Sequence, residues 1–192
     1  MARVTARRAQ LFDQLVALFL DEGFAHLTLD EIASRLRCSK STLYTVAAGK
    51  DDLVRVVTVH FFRAATDAVE EAVAAQSDPL AQVTAYLEAV GDQLSRASHQ
   101  YMEDLAGSSP GRRVYEKNTS IAADRVRELI VRGVADGAFR KVHASFVADA
   151  AATTMVRIQQ REVYLATGLD DAQAYRELAA LITTGISATV HR

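Results

Sequence analysis

Thr28 and Glu31 stand three positions apart immediately ahead of an apolar stripe, and this pair constrains the chain most, because it fixes where a helix starts. In such a T-x-x-E capping box the hydroxyl accepts the third amide of the new helix while the carboxylate reaches back to the cap's own N–H. Leu29, Ile32, Ala33 and Leu36 then fall at i, i+3, i+4 and i+7, one buried face on a helix of only about two turns. A helix that short is unstable by itself. It needs a neighbour, and residues 5–22 supply one: Phe12, Leu15, Val16 and Phe19 make the matching stripe of a preceding amphipathic helix.

A second boundary follows at once. Ser39 caps a third helix, in which Leu43 turns inward while Lys40, Ser41, Thr42, Tyr44 and Thr45 present polar atoms. Short polar side chains at the start of a helix that follows a tight turn can reach base edges in a major groove. Lys50 opens a long fourth helix, where backbone amides and an ammonium together suit one phosphate. Taken singly these residues have plain structural uses: Thr28 and Ser39 as caps in any helical protein, Tyr44 as a core aromatic, Lys40 and Lys50 as solvated charges. Their order and spacing together predict a DNA-reading unit, with Thr28, Ser39, Lys40, Ser41, Thr42, Tyr44, Thr45 and Lys50 as its contact surface.

The pair Gly23-Phe24, the cap Thr28 and the run Ser39-Lys40-Ser41-Thr42-Leu43-Tyr44 resemble the N-terminal helix-turn-helix of the tetracycline-repressor (TetR) family of transcriptional regulators. The likeness covers about the first quarter of the chain. It implies an all-α protein with a DNA-binding domain at 1–49 and a helical ligand-binding and dimerisation domain at 50–192. It further implies a homodimer, repression rather than activation, and a small-molecule pocket in the body that controls the spacing of two heads. A recognition helix of about two turns contacts too few base pairs alone, so a (pseudo)palindromic operator on double-stranded DNA is expected. Three positions depart from the family pattern. Arg37 occupies a turn position where the family usually has Gly, and Val46 and Ala47 stand where it commonly has a phosphate-touching His or Tyr and then a core Phe. They leave open a second reading, a helical ligand-binding or interaction module that has lost specific DNA binding.

At 192 residues the chain is long enough for a small head and a larger body with its own core. Two prolines, nine glycines and a 49% hydrophobic, alanine-rich composition favour helices with short connections. The net charge of −2 argues against indiscriminate coating of nucleic acid, yet residues 1–50 hold seven Lys/Arg against five Asp/Glu while the remainder holds 15 against 19. The basic end is thus the DNA end, with Arg3, Arg7 and Arg8 placed to follow a phosphate backbone. The single cysteine, Cys38, excludes an intramolecular disulfide, fits a reducing compartment and reads as a buried packing thiol in the recognition turn. No apolar run reaches the roughly 18 residues that span a bilayer, and the first residues lack a signal-peptide core. The expected location is cytoplasmic, away from the membrane.

Beyond residue 50 the periodicity predicts six further helices, nine in all, near 50–76, 79–98, 99–105, 109–135, 144–166 and 171–190. Ser77-Asp78-Pro79 and Ser109-Pro110 each give a cap followed by proline, with Ser109 as the cap of the second. The apolar stripes of the middle helices are interrupted by Phe62, Tyr86, His99, Tyr101, Met102, Tyr115 and Asn118. That mixture of aromatic bodies and polar tips suits a pocket for an apolar or aromatic effector, although each residue has an ordinary packing role too. The last two helices, joined by a short connection, should lie antiparallel and pair with a second copy as a four-helix bundle. Ala151, Met155, Leu178, Ile182, Gly185 and Ile186 are the predicted interface, with Ala148, Ala152 and Ala188 as further small residues. The alternative is that these faces close the monomer's own core.

No catalytic, metal or cofactor site is expected. Gly107-Ser108-Ser109-Pro110-Gly111 satisfies G-x-S-x-G, but a nucleophile elbow needs a strand before it and a helix is predicted there. The chain has no E-x-x-H, no H-x-x-x-H, no P-loop and no dinucleotide fingerprint.

Overall fold

The computed structural model describes residues 2–187, with side chains from residue 8 onward, and among them forms ten helices. In chain order these are α1 (Ala2–Glu22), α2 (Leu29–Arg35), α3 (Lys40–Tyr44), α4 (Lys50–Ala74), α5 (Pro79–Leu94), α6 (His99–Gly107), α7 (Ser109–Ala135), α8 (Ala144–Gln159), α9 (Glu162–Thr167) and α10 (Asp171–Ile186). The only pairing of strand type among the described residues is an isolated antiparallel bridge between Phe139 and Ser187. The protein is all-α, and no helix among the described residues is long and apolar enough to cross a membrane.

The chain folds as two compact units. The first comprises the residues up to Ala64 together with Arg96–Tyr115; the second comprises Ala65–Ser95 and the residues from Glu116 onward. Residues 1–49 therefore lie inside a unit that also takes in the start of α4, all of α6 and the start of α7. Leu15, Phe19, Phe24, Leu27, Ile32 and Leu43 are buried in it, with Leu53, Val57 and Phe61 from α4 and Tyr101 and Leu105 from α6. Val46 and Ala47 are buried too: Ala47 keeps the core position with a side chain smaller than the family's Phe, and Val46 turns inward where the family commonly has a phosphate-touching His or Tyr.

In the second unit α10 packs most extensively on α5 and also on α8. Gly91 of α5 makes the closest approach possible: a Cβ there would lie 3.0 Å from the Ala172 carbonyl oxygen and 3.4 Å from Tyr175 Cβ. Arg125 and Glu70 join α7 to α4 through two parallel hydrogen bonds of 3.0 Å, a fork geometry only a guanidinium supplies.

α4 and α5 end at Ala74 and Leu94, short of the 76 and 98 expected, and two further boundaries differ for a visible reason. The cap of α7 is Ser108, whose hydroxyl accepts the Gly111 N–H at 3.3 Å; Ser109 is already the first helical residue. The helix expected across 144–166 is divided into α8 and α9, because Arg161 turns into the left-handed region at φ +65°. Its guanidinium is drawn 2.6 Å from the buried Asp171 carboxylate and stacks 4.4 Å from the Tyr164 ring centre. Nothing in the local sequence marks that break, since the ion pair that holds it comes from the next helix.

Candidate nucleic-acid interface

The helix-turn-helix is assembled from side-chain caps. Thr28 N–H and hydroxyl both donate to Glu31 Oε2, at 2.7 and 2.8 Å, and the Thr28 oxygen accepts Glu31 N–H at 3.2 Å. The backbone hydrogen bond from Thr28 holds the Glu31 carboxyl below its usual range. α2 ends in a turn where Arg37 takes φ +50°, a left-handed conformation that is costly for a non-glycine residue. The next residue, Cys38, is half-buried rather than fully enclosed, and its N–H returns to the Ala33 carbonyl at 2.9 Å. α3 then starts under Ser39, whose hydroxyl accepts Thr42 N–H at 3.2 Å.

α3 buries Leu43 and turns Tyr44 outward at 52% exposure. Ser41 and Thr42 hydroxyls lie 2.7 and 2.8 Å from that of Ser39, and the Thr45 hydroxyl donates to the Thr42 carbonyl at 2.6 Å. Five hydroxyl-bearing residues, Ser39, Ser41, Thr42, Tyr44 and Thr45, thus share the start and outer face of a five-residue helix. The Ser39, Ser41, Thr42 and Thr45 hydroxyls bond to exposed partners, which water or another polar group can replace at little cost.

The two cations expected on DNA have partners within the protein. Lys40 Nζ lies 2.9 Å from Asp30 Oδ2 of α2, both exposed, and the hydrogen bond to Asp30 raises the ammonium's pKa. Lys50 Nζ donates to the Ala25 carbonyl at 2.7 Å. At the start of α4 the Asp52 carboxylate accepts Ala48 N–H at 2.9 Å, which together with Arg55 keeps its pKa low. Arg8 lies over the Phe12 ring at 6.0 Å; the side chains of Arg3 and Arg7 lie outside the described residues.

The residues expected to meet an effector divide between the units. In the first, Phe62 and Tyr115 stack at 5.1 Å, Tyr101 and Met102 are buried, and His99 is exposed. Burial pushes the Tyr101 phenol up to about 12, against a smaller opposing effect from the Thr58 hydroxyl. In the second, Tyr86 is buried, with its phenol also raised, and Asn118 is half-buried. Of the residues expected between two copies, Ala151, Met155, Leu178, Ile182 and Ile186 are buried within the single chain, and Gly185 is exposed. Ala188 lies outside the described residues. The large apolar side chains exposed on those helices, among the described residues, are Phe146 and Val156 of α8 and Leu181 of α10.

One residue of the head was not foreseen. Asp104 of α6, buried, accepts the N–H groups of both Phe24 and Ala25, the turn that leads into α2. Sequence offers no sign of it, because the partners lie about eighty positions away.

An all-helical chain whose second and third helices form a capped helix-turn-helix, with α3 turned outward, belongs to the class of helix-turn-helix DNA-binding proteins. Residues 11–57 match the family model described as "Bacterial regulatory proteins, tetR family". No curated protein matches the sequence. Among solved structures, a transcriptional regulator from Cytophaga hutchinsonii superposes with a TM-score of 0.73 at 17% identity, over 95% of this chain and 99% of that one. A protein from Saccharomonospora viridis in complex with choline gives 0.72 at 15% identity, over 96% and 99%. The TetR-family regulator PfmR from Thermus thermophilus gives 0.63 at 19% identity, over 95% and 99%. Likeness at this identity establishes the fold over the whole length. The TetR-family match lies in the head, at residues 11–57, and the likeness to solved structures extends the shared fold to the rest of the chain.

Proposed function

We propose that the protein is a ligand-responsive repressor that binds a palindromic operator as a homodimer and releases it when a small apolar or aromatic molecule is bound. The observation that carries this reading is α3: a short helix capped from outside, anchored by one buried leucine, with Tyr44 and four smaller hydroxyl residues free of the core. Such a helix gives geometry for base contacts and too few of them for specificity alone, which favours two copies on related half-sites. Thr28 and Lys50 stand where phosphates would pass, and Lys50 would exchange the Ala25 carbonyl for a phosphate oxygen.

A second copy has a surface to meet. Phe146 at 71% and Leu181 at 72% exposure are large apolar side chains left outside the core on α8 and α10. Exposed Ala150, Thr153, Thr184 and Gly185 lie beside them along the helices, small enough to allow close approach. The effector reading rests, within the first unit, on the stacked Phe62 and Tyr115 and on the buried phenol of Tyr101, and it gains support from a protein of the same fold that holds choline.

The test is binding to duplexes covering the DNA that flanks the protein's own gene, compared with scrambled duplexes across a salt series. Preference for one flanking site, with Tyr44→Ala weakening it by about 1–3 kcal/mol, is the expected result. Equal affinity of the wild type for all duplexes would refute it.

A further inference from the structure

We propose that Asp104 is a positioning residue for DNA reading: from α6, its carboxylate holds the turn that sets α2 and α3. The inference rests on the repressor reading above.

Asp104 is 7% exposed, and both its oxygens are engaged. Oδ2 accepts Phe24 N–H at 2.6 Å and Ala25 N–H at 2.7 Å, while Oδ1 accepts the Gln100 side-chain amide at 2.7 Å. Bonds from neutral donors to a buried carboxylate are among the stronger hydrogen bonds, and a misplaced acceptor would leave two amides unpaired. The approach depends on Gly23, at φ +80°, because a Cβ there would fall 2.5 Å from Oδ2. Glycine is thus required twice, for its backbone conformation and for the space it leaves.

Other bonds from α6 and α4 converge on the same turn. Lys50 donates to the Ala25 carbonyl, so Ala25 is held through its N–H from α6 and through its carbonyl from α4. Tyr101, also on α6, meets the Phe24 ring edge-on at 5.8 Å. Just ahead of α6, Ser98 N–H donates to the Leu20 carbonyl at the end of α1 at 2.7 Å. Thr28, the cap of α2, follows Ala25 by three residues, so the direction of α2 is set where Asp104 holds the chain.

α6 belongs to the first unit, yet the chain on each side of it, up to Ser95 and from Glu116, belongs to the second.

The experiment compares wild type, Asp104→Asn and Gln100→Ala. Amide hydrogen exchange is resolved by residue, and binding is measured to flanking-DNA and scrambled duplexes at a temperature where circular dichroism shows each protein folded. In Asp104→Asn the Phe24 and Ala25 amides should exchange at least about tenfold faster while α3 stays protected. Affinity for the preferred duplex should fall about tenfold with that for scrambled DNA unchanged. Gln100→Ala should move both readouts the same way by a smaller factor. Faster exchange at the turn with undiminished affinity would make Asp104 a structural cap only and overturn the proposal; if Asp104→Asn does not fold, the same outcome in Gln100→Ala overturns it. A wild type that binds all duplexes alike fails differently, by removing the repressor reading itself, and the positioning role with it.

Discussion

Lys40 and Asp30 pair across α2 and α3 where a DNA backbone would pass, and the pair sets a competition between two anions for one ammonium. Both side chains are exposed, so the ion pair contributes little to stability, and exchanging it for a phosphate is inexpensive. Asp30→Asn frees Lys40 and removes a negative charge from the DNA-facing side. Affinity for scrambled DNA should rise, and the slope of log affinity against log salt should steepen by about one unit, measured by fluorescence anisotropy over a salt series. The cap one turn away gives a prediction in pH. Glu31 titrates below its ordinary 4.5 because Thr28 bonds its charged form, so its contribution to stability is complete above that value and is lost as pH falls through the folded pKa. Thr28→Ala should cost about 1 kcal/mol at neutral pH. It should also flatten the fall in urea midpoint on going from about pH 6 to about pH 3, the window that the depressed pKa defines. These caps were legible in the sequence because every atom involved lies within three residues. Asp104 was not, since a buried carboxylate that serves a distant turn has the sequence appearance of any helical aspartate.

At the scale of elements, helix starts were easier to read than helix interruptions. Asp78 caps α5 ahead of Pro79, accepting Ala81 N–H at 2.8 Å, as the sequence required. Asp170 and Gln173 form a second capping box at the start of α10. The break at Arg161 needed knowledge of Asp171's position in space, which no local pattern supplies. α7 holds a case where local propensity and packing point opposite ways. Gly133, in its interior, would gain about 1 kcal/mol as alanine from helix propensity alone. A Cβ there, however, would lie 2.3–2.8 Å from three atoms of the Phe139 ring, which closes the loop after α7 against it. Phe139 is buried and its neighbours are packed, so the ring has little room to retreat. Gly133→Ala should therefore destabilise the protein, by about 1–3 kcal/mol in chemical denaturation, and a gain in stability would show that the ring yields.

For the whole molecule, the periodicity of α8 and α10 showed that both helices have apolar faces but not which partner each face meets. Ile182 and Leu181 are adjacent in sequence and opposite in fate: Ile182 is 8% exposed and Leu181 is 72% exposed. Ile182 stands among the residues expected at an interface and is buried within the single chain, whereas the large apolar side chains exposed on α8 and α10 include Leu181 and Phe146, the face we propose for a second copy. Charged substitutions at the two sites should consequently give different phenotypes. Ile182→Glu places an unpaired carboxylate among buried side chains, and loss of cooperative folding is the expected outcome. Leu181→Glu removes no core contact and should leave the thermal melt of the single chain within about 0.5 kcal/mol of wild type. In a symmetric pair each such carboxylate recurs on the partner across the same patch, so one substitution introduces two desolvated charges at the interface. Analytical ultracentrifugation should then find folded monomers of Leu181→Glu at micromolar concentration where the wild type is dimeric. Operator affinity should fall with dimerisation while affinity for a single half-site is retained. A Leu181→Glu protein that stays dimeric would place the interface elsewhere, and a wild type that is monomeric would remove the dimer, and with it the argument for a palindromic operator.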